Sequence, residues 1–236
     1  MKLTVLNPFD RREAFPDADQ ALTEPNGLLA IGGCLSPERL EKAYRSGIFP
    51  WYNKGEPILW WSPNPRLILR PECIRISRSL RKILRDNEFR ITFDIAYSDV
   101  ISACAGHRPN AQGTWITQEM YAAYIDLHNR GLAHSVEAWH DGKLAGGLYG
   151  IAVGQVFFGE SMFYRRSNAS KVAFVHLAGA LHAWNYRLID CQVRTEHLIS
   201  LGAEELPRRE FLRLLDEYCN RDPANSAWKS SVLNSA

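Results

Sequence analysis

The stretch Val156-Phe-Phe-Gly-Glu-Ser-Met-Phe163 reads as a buried strand with a carboxylate, Glu160, set inside it. An ionised carboxylate taken out of water without a partner is costly, so such a group meets a cation, binds a ligand or shifts its pKa. The plainer alternative is a strand end with Glu160 turned to solvent. About thirty residues on, Arg187-Leu-Ile-Asp-Cys-Gln-Val193 reads as a second strand. Asp190 and Gln192 stand at alternate positions of it, and alternate strand positions share a face. Three polar side chains on two apolar strands predict one shared pocket.

Upstream of this stretch the pattern is a meander. His134 to Trp139 alternates, Asp141-Gly142 supplies a hairpin turn, Leu144 to Val153 forms the next strand, and a turn at Gly154 leads into Val156. Glycines in Gly146-Gly147-Leu148-Tyr149-Gly150 weaken a strand unless something must approach its backbone closely, and a ligand is one such candidate. Downstream, Ala169 to Trp184 reads as a helix capped by Ser167 or Asn168, a last helix runs from about Arg208 to Cys219, and the tail after Asp222 is expected to be loose. Meander, helix, then strand describes a mixed sheet with a helix packed on it, an α+β class. It is also the element order of a GNAT-type acyltransferase core. The acetyl-CoA version of that core needs a glycine-rich pyrophosphate loop at the start of its central helix. The entering segment, Arg165 to Lys171, offers basic side chains instead, so coenzyme A is not the expected donor.

The first sixty residues are punctuated by Pro8, Pro16, Pro25, Pro37, Pro50 and Pro57, which predicts a small irregular N-terminal domain over residues 1–62 ahead of the sheet domain over 63–236. Its clearest helix runs from Ser36, a capping residue followed by Pro37, to about Ser46, with Leu40, Ala43 and Tyr44 as the buried stripe. Trp60 and Trp61 read equally as core or as site. Trp51, beside a proline in a turn, suits a flat platform on which a base or sugar stacks. From Arg66 to Arg90, eight basic residues face three acidic ones. Within that stretch Ser77 can cap a short helix that turns Leu80, Ile83 and Leu84 inward and Arg78, Arg81, Lys82 and Arg85 outward. The stripe is either a solvated face or a phosphate-binding one; its apolar side is too narrow for a membrane surface. Phe89 to Phe93 then reads as a strand, Ala96 to Cys104 as a helix, His107 to Gly113 as a polar loop, and Thr117 as the cap of a helix reaching Arg130.

The 236 residues carry 28 Lys and Arg against 26 Asp and Glu, so nucleic-acid affinity must come from local patches and not from the net charge of +2. Five scattered cysteines without a CxxC pair indicate neither a disulfide framework nor a zinc site, and a reducing cytoplasm is the expected compartment. With no run of some 20 apolar residues and no leader pattern, no membrane association is expected. No repeat interrupts the chain.

Taken together, Glu24-Pro-Asn-Gly-Leu-Leu-Ala30, Gly47-Ile-Phe-Pro-Trp51, Trp60-Trp-Ser-Pro63, Gly113-Thr-Trp-Ile-Thr117, Ala133-His-Ser-Val-Glu137, Phe158-Gly-Glu-Ser-Met-Phe163, Asn168-Ala-Ser-Lys171, Leu188-Ile-Asp-Cys-Gln192 and Leu198-Ile-Ser-Leu-Gly-Ala203 closely resemble the bacterial leucyl/phenylalanyl-tRNA–protein transferases. The resemblance implies a GNAT-like C-terminal domain and transfer of Leu or Phe, less readily Met, from aminoacyl-tRNA to proteins beginning with Arg or Lys, which marks them for degradation through the N-degron pathway. It needs neither metal nor other cofactor. It assigns the acceptor amine to Asp190 and Gln192; because an amide oxygen is a poor proton acceptor, Gln192 reads as orienting the amine and Asp190 as polarising or holding Gln192. Glu160 becomes the partner of the acceptor's basic side chain. Leu148, Phe157, Phe174, Leu177 and Ile189 become the aminoacyl pocket, where Met is the expected residue at 148 and Phe at 177. Trp51 and Trp115 flank the terminal adenosine, and the stripe of Arg78, Arg81, Lys82 and Arg85 is offered to acceptor-stem phosphates. Two other classes compete: a coenzyme-A acetyltransferase, and a non-enzymatic module that binds charged tRNA or peptide without consuming it. His134 and His197 fall in matched blocks without an assigned role, and the sequence implies no oligomeric state.

Overall fold

The structure is a computed structural model that describes residues 3–106 and 116–229. The polar loop expected over His107 to Gly113 lies outside the described residues. A four-stranded sheet comes first: β1 (Thr4–Leu6), β2 (Leu28–Gly32), β3 (Phe49–Pro50) and β4 (Leu59–Trp61), in the order β1-β2-β4-β3, with α1 (Pro37–Arg45) between β2 and β3. Short strands therefore stitch together what the prolines make look irregular. The rest of the chain runs β5 (Arg66–Leu69), α2 (Arg78–Arg85), β6 (Arg90–Phe93), α3 (Tyr97–Ala105), α4 (Gln118–Asn129), β7 (Ala133–His140), β8 (Lys143–Val153), β9 (Val156–Tyr164), α5 (Ala169–Ala183), β10 (Leu188–Gln192), α6 (Glu196–Ser200), β11 (Glu204–Leu206) and α7 (Arg208–Tyr218). Its strands form one mixed sheet in the order β11-β5-β10-β9-β8-β7-β6.

Local chemistry starts the helices where the sequence places them. Ser36, Ser77 and Thr117 each accept a hydrogen bond from the backbone N–H three residues on, at 3.3, 3.2 and 3.2 Å, which satisfies one of the free donors of a first turn. α5 differs: Asn168 occupies the cap position with φ +66° and makes no capping bond, so neither Ser167 nor Asn168 caps by its side chain. β9 and β10 are joined through α5 and run parallel, which needs such a crossover.

Alternation along the strands buries both faces of the large sheet. Phe158, Tyr149 and Ile68 turn toward α1, α3, α4 and the small sheet, while Phe157, Leu148, Leu67 and Ile189 turn toward α5. The glycines of β8 serve this packing and not a ligand. A Cβ at Gly146 would stand 2.6 Å from that of Ala169, at the start of α5, and one at Gly150 would stand 2.5 Å from Cζ of Phe157. As far as Lys229 the tail is not loose either: Asp222 and Ala224 are hydrogen bonded to Gln155 and Trp184, and Trp228 packs into the α5 side.

Arg66 departs furthest from its sequence reading. It belongs to β5, not to a solvated basic face, and its side chain is 1% exposed. Its Nε and Nη2 donate to Asp190 Oδ1 and Oδ2 at 2.8 and 2.6 Å, and Nη1 donates to the Gly47 carbonyl at 3.1 Å. The guanidinium lies between the rings of Phe49 and Phe211, at 4.7 and 4.8 Å from their centroids. Removing one member of such a pair strands the other in a dry site. Asp190→Ala is therefore expected to destabilise the fold by about 3–5 kcal/mol, and Arg66→Met with Asp190→Leu to recover most of it. Urea midpoints of the three proteins test this; an Asp190→Ala protein as stable as the parent would show that the pair does not hold the fold.

Candidate active site

Pairing of β9 with β10 stops at Phe158 and Asp190, and the two strands part beyond that point. Each carries a β-bulge at the fork. On β9, Gly159 and Ser161 pair with neighbouring residues of β8, leaving Glu160 as the extra residue; on β10, Asp190 and Gln192 pair with neighbouring residues of β5, leaving Cys191. A bulge re-aims the side chains around it. Gln192 adopts φ +62°, uncommon for a residue with a Cβ, and its N–H donates to Asp190 Oδ1 at 2.9 Å. Asp190 and Gln192 thus do not simply share a face. Asp190 is fully buried and grips the backbone of Gln192, whose side chain swings to Glu160 and donates from Nε2 to Oε1 at 2.7 Å.

Among the described residues Glu160 meets no cation. Its Oε1 accepts from Tyr44 Oη at 2.9 Å, Oε2 from Tyr124 Oη at 2.7 Å, and the two phenols stand 2.5 Å apart. Three oxygen contacts in a ring need three protons. The two phenols supply only two, so the ring closes fully only when Glu160 is protonated. Burial pushes its carboxyl from 4.5 up to about 7, outweighing the hydrogen bonds from Tyr124, Tyr44 and Gln192. Burial and the Glu160 charge drive both phenols well above their usual range, so they stay donors. Tyr44 comes from α1 and Tyr124 from α4, 116 and 36 positions from Glu160. No local pattern could have tied either to it, although the sequence does place Tyr44 on the buried stripe of its helix.

A cavity of about 480 Å³ fills the fork. Leu148, Phe157, Phe174 and Ile189 line one part of it, Glu160, Asp190 and Gln192 another, and Trp51 stands at the edge, 47% exposed. Leu177, grouped with those apolar residues on the sequence, is fully buried in the neighbouring core and does not line the cavity. Trp61 holds Trp51 in place, its Nε1 donating to the Trp51 carbonyl at 2.7 Å, while Trp60 is core. Trp115 lies outside the described residues. Cys191 also faces the cavity, but burial pushes its thiol up, which disfavours a covalent acyl-cysteine route. A larger cleft of about 1180 Å³ adjoins it, lined by Arg165 and Lys171 among others and sharing Met162 and His197 with it. His134 is tied to Asp94 at 2.7 Å and to the Gly131 carbonyl. Arg78, Arg81, Lys82 and Arg85 are exposed on α2, as the amphipathic pattern requires, and none of them lines the cavity. Among the described residues there is no group of three or more His, Cys, Asp or Glu that could hold a metal ion, and no helix long and apolar enough to cross a membrane.

The large sheet is mixed and forks at its parallel pair, and the cavity is set in the fork. Models of the leucyl/phenylalanyl-tRNA protein transferase and of its N-terminal domain match residues 68–216 and 33–64. The leucyl/phenylalanyl-tRNA–protein transferase of Methylococcus capsulatus is 58% identical over 227 residues, which cover 96% of this chain and 97% of that one. That of Nitrosomonas europaea is 57% identical over 214 residues, 91% of each chain. A solved GCN5-related N-acetyltransferase from Kribbella flavida is similar at a TM-score of 0.38 and 12% identity, over 73% of this chain and 61% of that one. The chain belongs to the leucyl/phenylalanyl-tRNA protein transferase family, and it is an aminoacyltransferase.

Because the Glu160 carboxyl is a weaker acid in the fold than its ordinary 4.5, the stability it contributes is present below that value and is lost as pH rises through about 7. Wild type compared with Glu160→Gln should therefore lose relative stability between pH 5 and pH 8. Urea midpoints of both proteins at the two pH values test it, and the opposite trend would mean that the fold favours the ionised carboxylate.

Proposed function

We propose that this chain moves Leu or Phe, and less readily Met, from aminoacyl-tRNA to the N-terminal α-amine of proteins beginning with Arg or Lys, and so marks them for degradation. The observation that carries this reading is the cavity itself, where an apolar wall of Leu148, Phe157, Phe174 and Ile189 stands beside the hydrogen-bonding pair Glu160 and Gln192.

In the reaction the amine nitrogen attacks the ester carbonyl, the bond to the ribose oxygen breaks, and one amine proton ends on that oxygen. Aminolysis of an ester is downhill, so holding the neutral amine against the carbonyl supplies much of the acceleration. Gln192 Nε2 is committed to Glu160, which leaves Oε1 to accept from the amine N–H. Asp190 acts as a positioning residue, since it is buried, paired with Arg66 and bonded to the Gln192 backbone. A basic acceptor side chain arriving at Glu160 favours its ionised form and would release the proton held in the tyrosine ring. Hydrocarbon walls separate Leu, Phe and Met by only ~1–3 kcal/mol per methylene, consistent with mixed donor use. Trp51, with Trp115, would stack on the terminal adenosine. Arg165 and Lys171 give the adjoining cleft the polarity a tRNA end requires, and the exposed stripe on α2 suits acceptor-stem phosphates.

The test is transfer of labelled Phe from charged tRNA to a peptide beginning with Arg, beside one beginning with Glu. Label should appear on the Arg peptide alone, and Gln192→Ala should cut the rate by about 10²-fold with tRNA binding retained. Bound tRNA with the Arg peptide unlabelled would overturn the acceptor rule. Gln192 is the better target than Asp190, whose removal also strands Arg66. In the same binding assay affinity should fall with salt, and Arg81→Ala with Lys82→Ala should flatten that dependence by about one unit of log–log slope for each phosphate no longer neutralised. An affinity indifferent to salt would remove the stripe from the tRNA footprint.

A further inference from the structure

The end of the described chain folds back onto the large sheet and inserts Trp228 behind the apolar wall of the cavity. Its indole stacks on His134 at 4.0 Å and 8°, and its other neighbours are Trp184 at 4.9 Å, Phe157 at 5.7 Å and 28°, and Phe93 at 6.1 Å. Nε1 donates to Tyr186 Oη at 2.8 Å. The supports of the indole are themselves fixed, because His134 is tied to Asp94 and the Ala224 N–H donates to the Trp184 carbonyl at 2.8 Å. Trp228 has little freedom to move.

Phe157 is the residue that communicates this to the cavity. It is fully buried, it lines the cavity, and it is held between two neighbours. Toward β8 there is room only because residue 150 is glycine; a Cβ there would stand 2.5 Å from the Phe157 Cζ. Toward the tail the Phe157 ring lies against Trp228. The position of the ring, and with it the size of the apolar pocket, depends on what stands behind it.

We propose that Trp228 is a specificity-determining residue that acts through Phe157: the indole backs the pocket wall and so sets how the enzyme ranks a small branched donor side chain against a larger aromatic one. This rests on the reading of the cavity as the donor pocket. Trp228 is partly buried, and truncating its indole leaves space beside Phe157 that the neighbours fill only in part. Phe157 gains room to withdraw, the pocket deepens, and Phe fits better while Leu fits less closely.

The experiment measures kcat/KM for Leu-tRNA and Phe-tRNA with an Arg-initiated peptide, in wild type, Trp228→Ala, Trp228→Phe and Phe157→Ala. The ratio is the readout because both donors sample the same folded fraction, so a purely structural loss cancels. Trp228→Ala should raise the Phe-over-Leu ratio at least about threefold, with Trp228→Phe in between. If Trp228→Ala does not fold, the ratio is read in Trp228→Leu with the same expectation. Equal loss for both donors in the folded variant, while Phe157→Ala changes the ratio, would overturn the role of Trp228 and leave the donor pocket standing. A ratio untouched by Phe157→Ala as well would overturn the pocket reading itself.

Discussion

A guanidinium and a carboxylate, Arg66 and Asp190, meet in the dry layer between the two sheets, and the geometry of the site follows from that contact. Both charges have left water, so the attraction between them is offset by the cost of desolvating them, and an apolar pair of matching volume could be as stable. What an apolar pair could not reproduce is direction. Two of the guanidinium's nitrogens hold Asp190 across from β5, a third reaches the Gly47 carbonyl before β3, and the rings of Phe49 and Phe211 bring β3 and α7 against its faces. Asp190 then has a lone pair left for the Gln192 N–H. Through one ion pair the small sheet, the last helix and the bulge that aims Gln192 are held in one register.

Two carboxylates within this layer meet opposite fates. Asp190 has a bidentate cation as its partner, whereas Glu160 has only O–H and N–H donors, and burial raises its pKa to about 7. A buried acid that can exchange its proton near neutral pH is a common mark of a working site. The proton count in the ring of Glu160, Tyr44 and Tyr124 points the same way as the burial argument and does not depend on it.

Much of this was legible in the sequence, and the exceptions share a cause. Ser36, Ser77 and Thr117 announce their helices because a cap is a local event, decided within three residues. Hydrophobic runs and the Asp141-Gly142 turn announce the meander for the same reason. Period-two alternation fails at Glu160 and Gln192 because a bulge adds one residue that nothing in the composition marks. Arg66 reads as one more cation of a basic stretch because its carboxylate lies 124 positions away. Gly146 and Gly150 read as room for a ligand because a sequence shows that space is needed but not which atoms fill it. Trp228 follows a run of polar and small residues and looks like part of a loose tail until the aromatic pocket that receives it has been assembled from distant segments.

The same alternation that separates Phe157 from Phe158 also separates the two halves of the proposed chemistry. Phe157 with Leu148 and Ile189 faces α5, so the apolar wall belongs to one side of the sheet. Phe158 faces the other side, where Tyr44 and Tyr124 hold Glu160. A continuous sheet would keep these layers apart by the thickness of its backbone. The strands part directly after Phe158 and Asp190, and the cavity reaches through that gap so that both layers line it. On the proposed assignment of the site, donor and acceptor approach from different faces and meet only at the fork. This is why α1, from the segment that precedes the large sheet, must contribute Tyr44: it stands behind Glu160, which lines the gap, and without it the proton shared with Tyr124 would have one place fewer to rest.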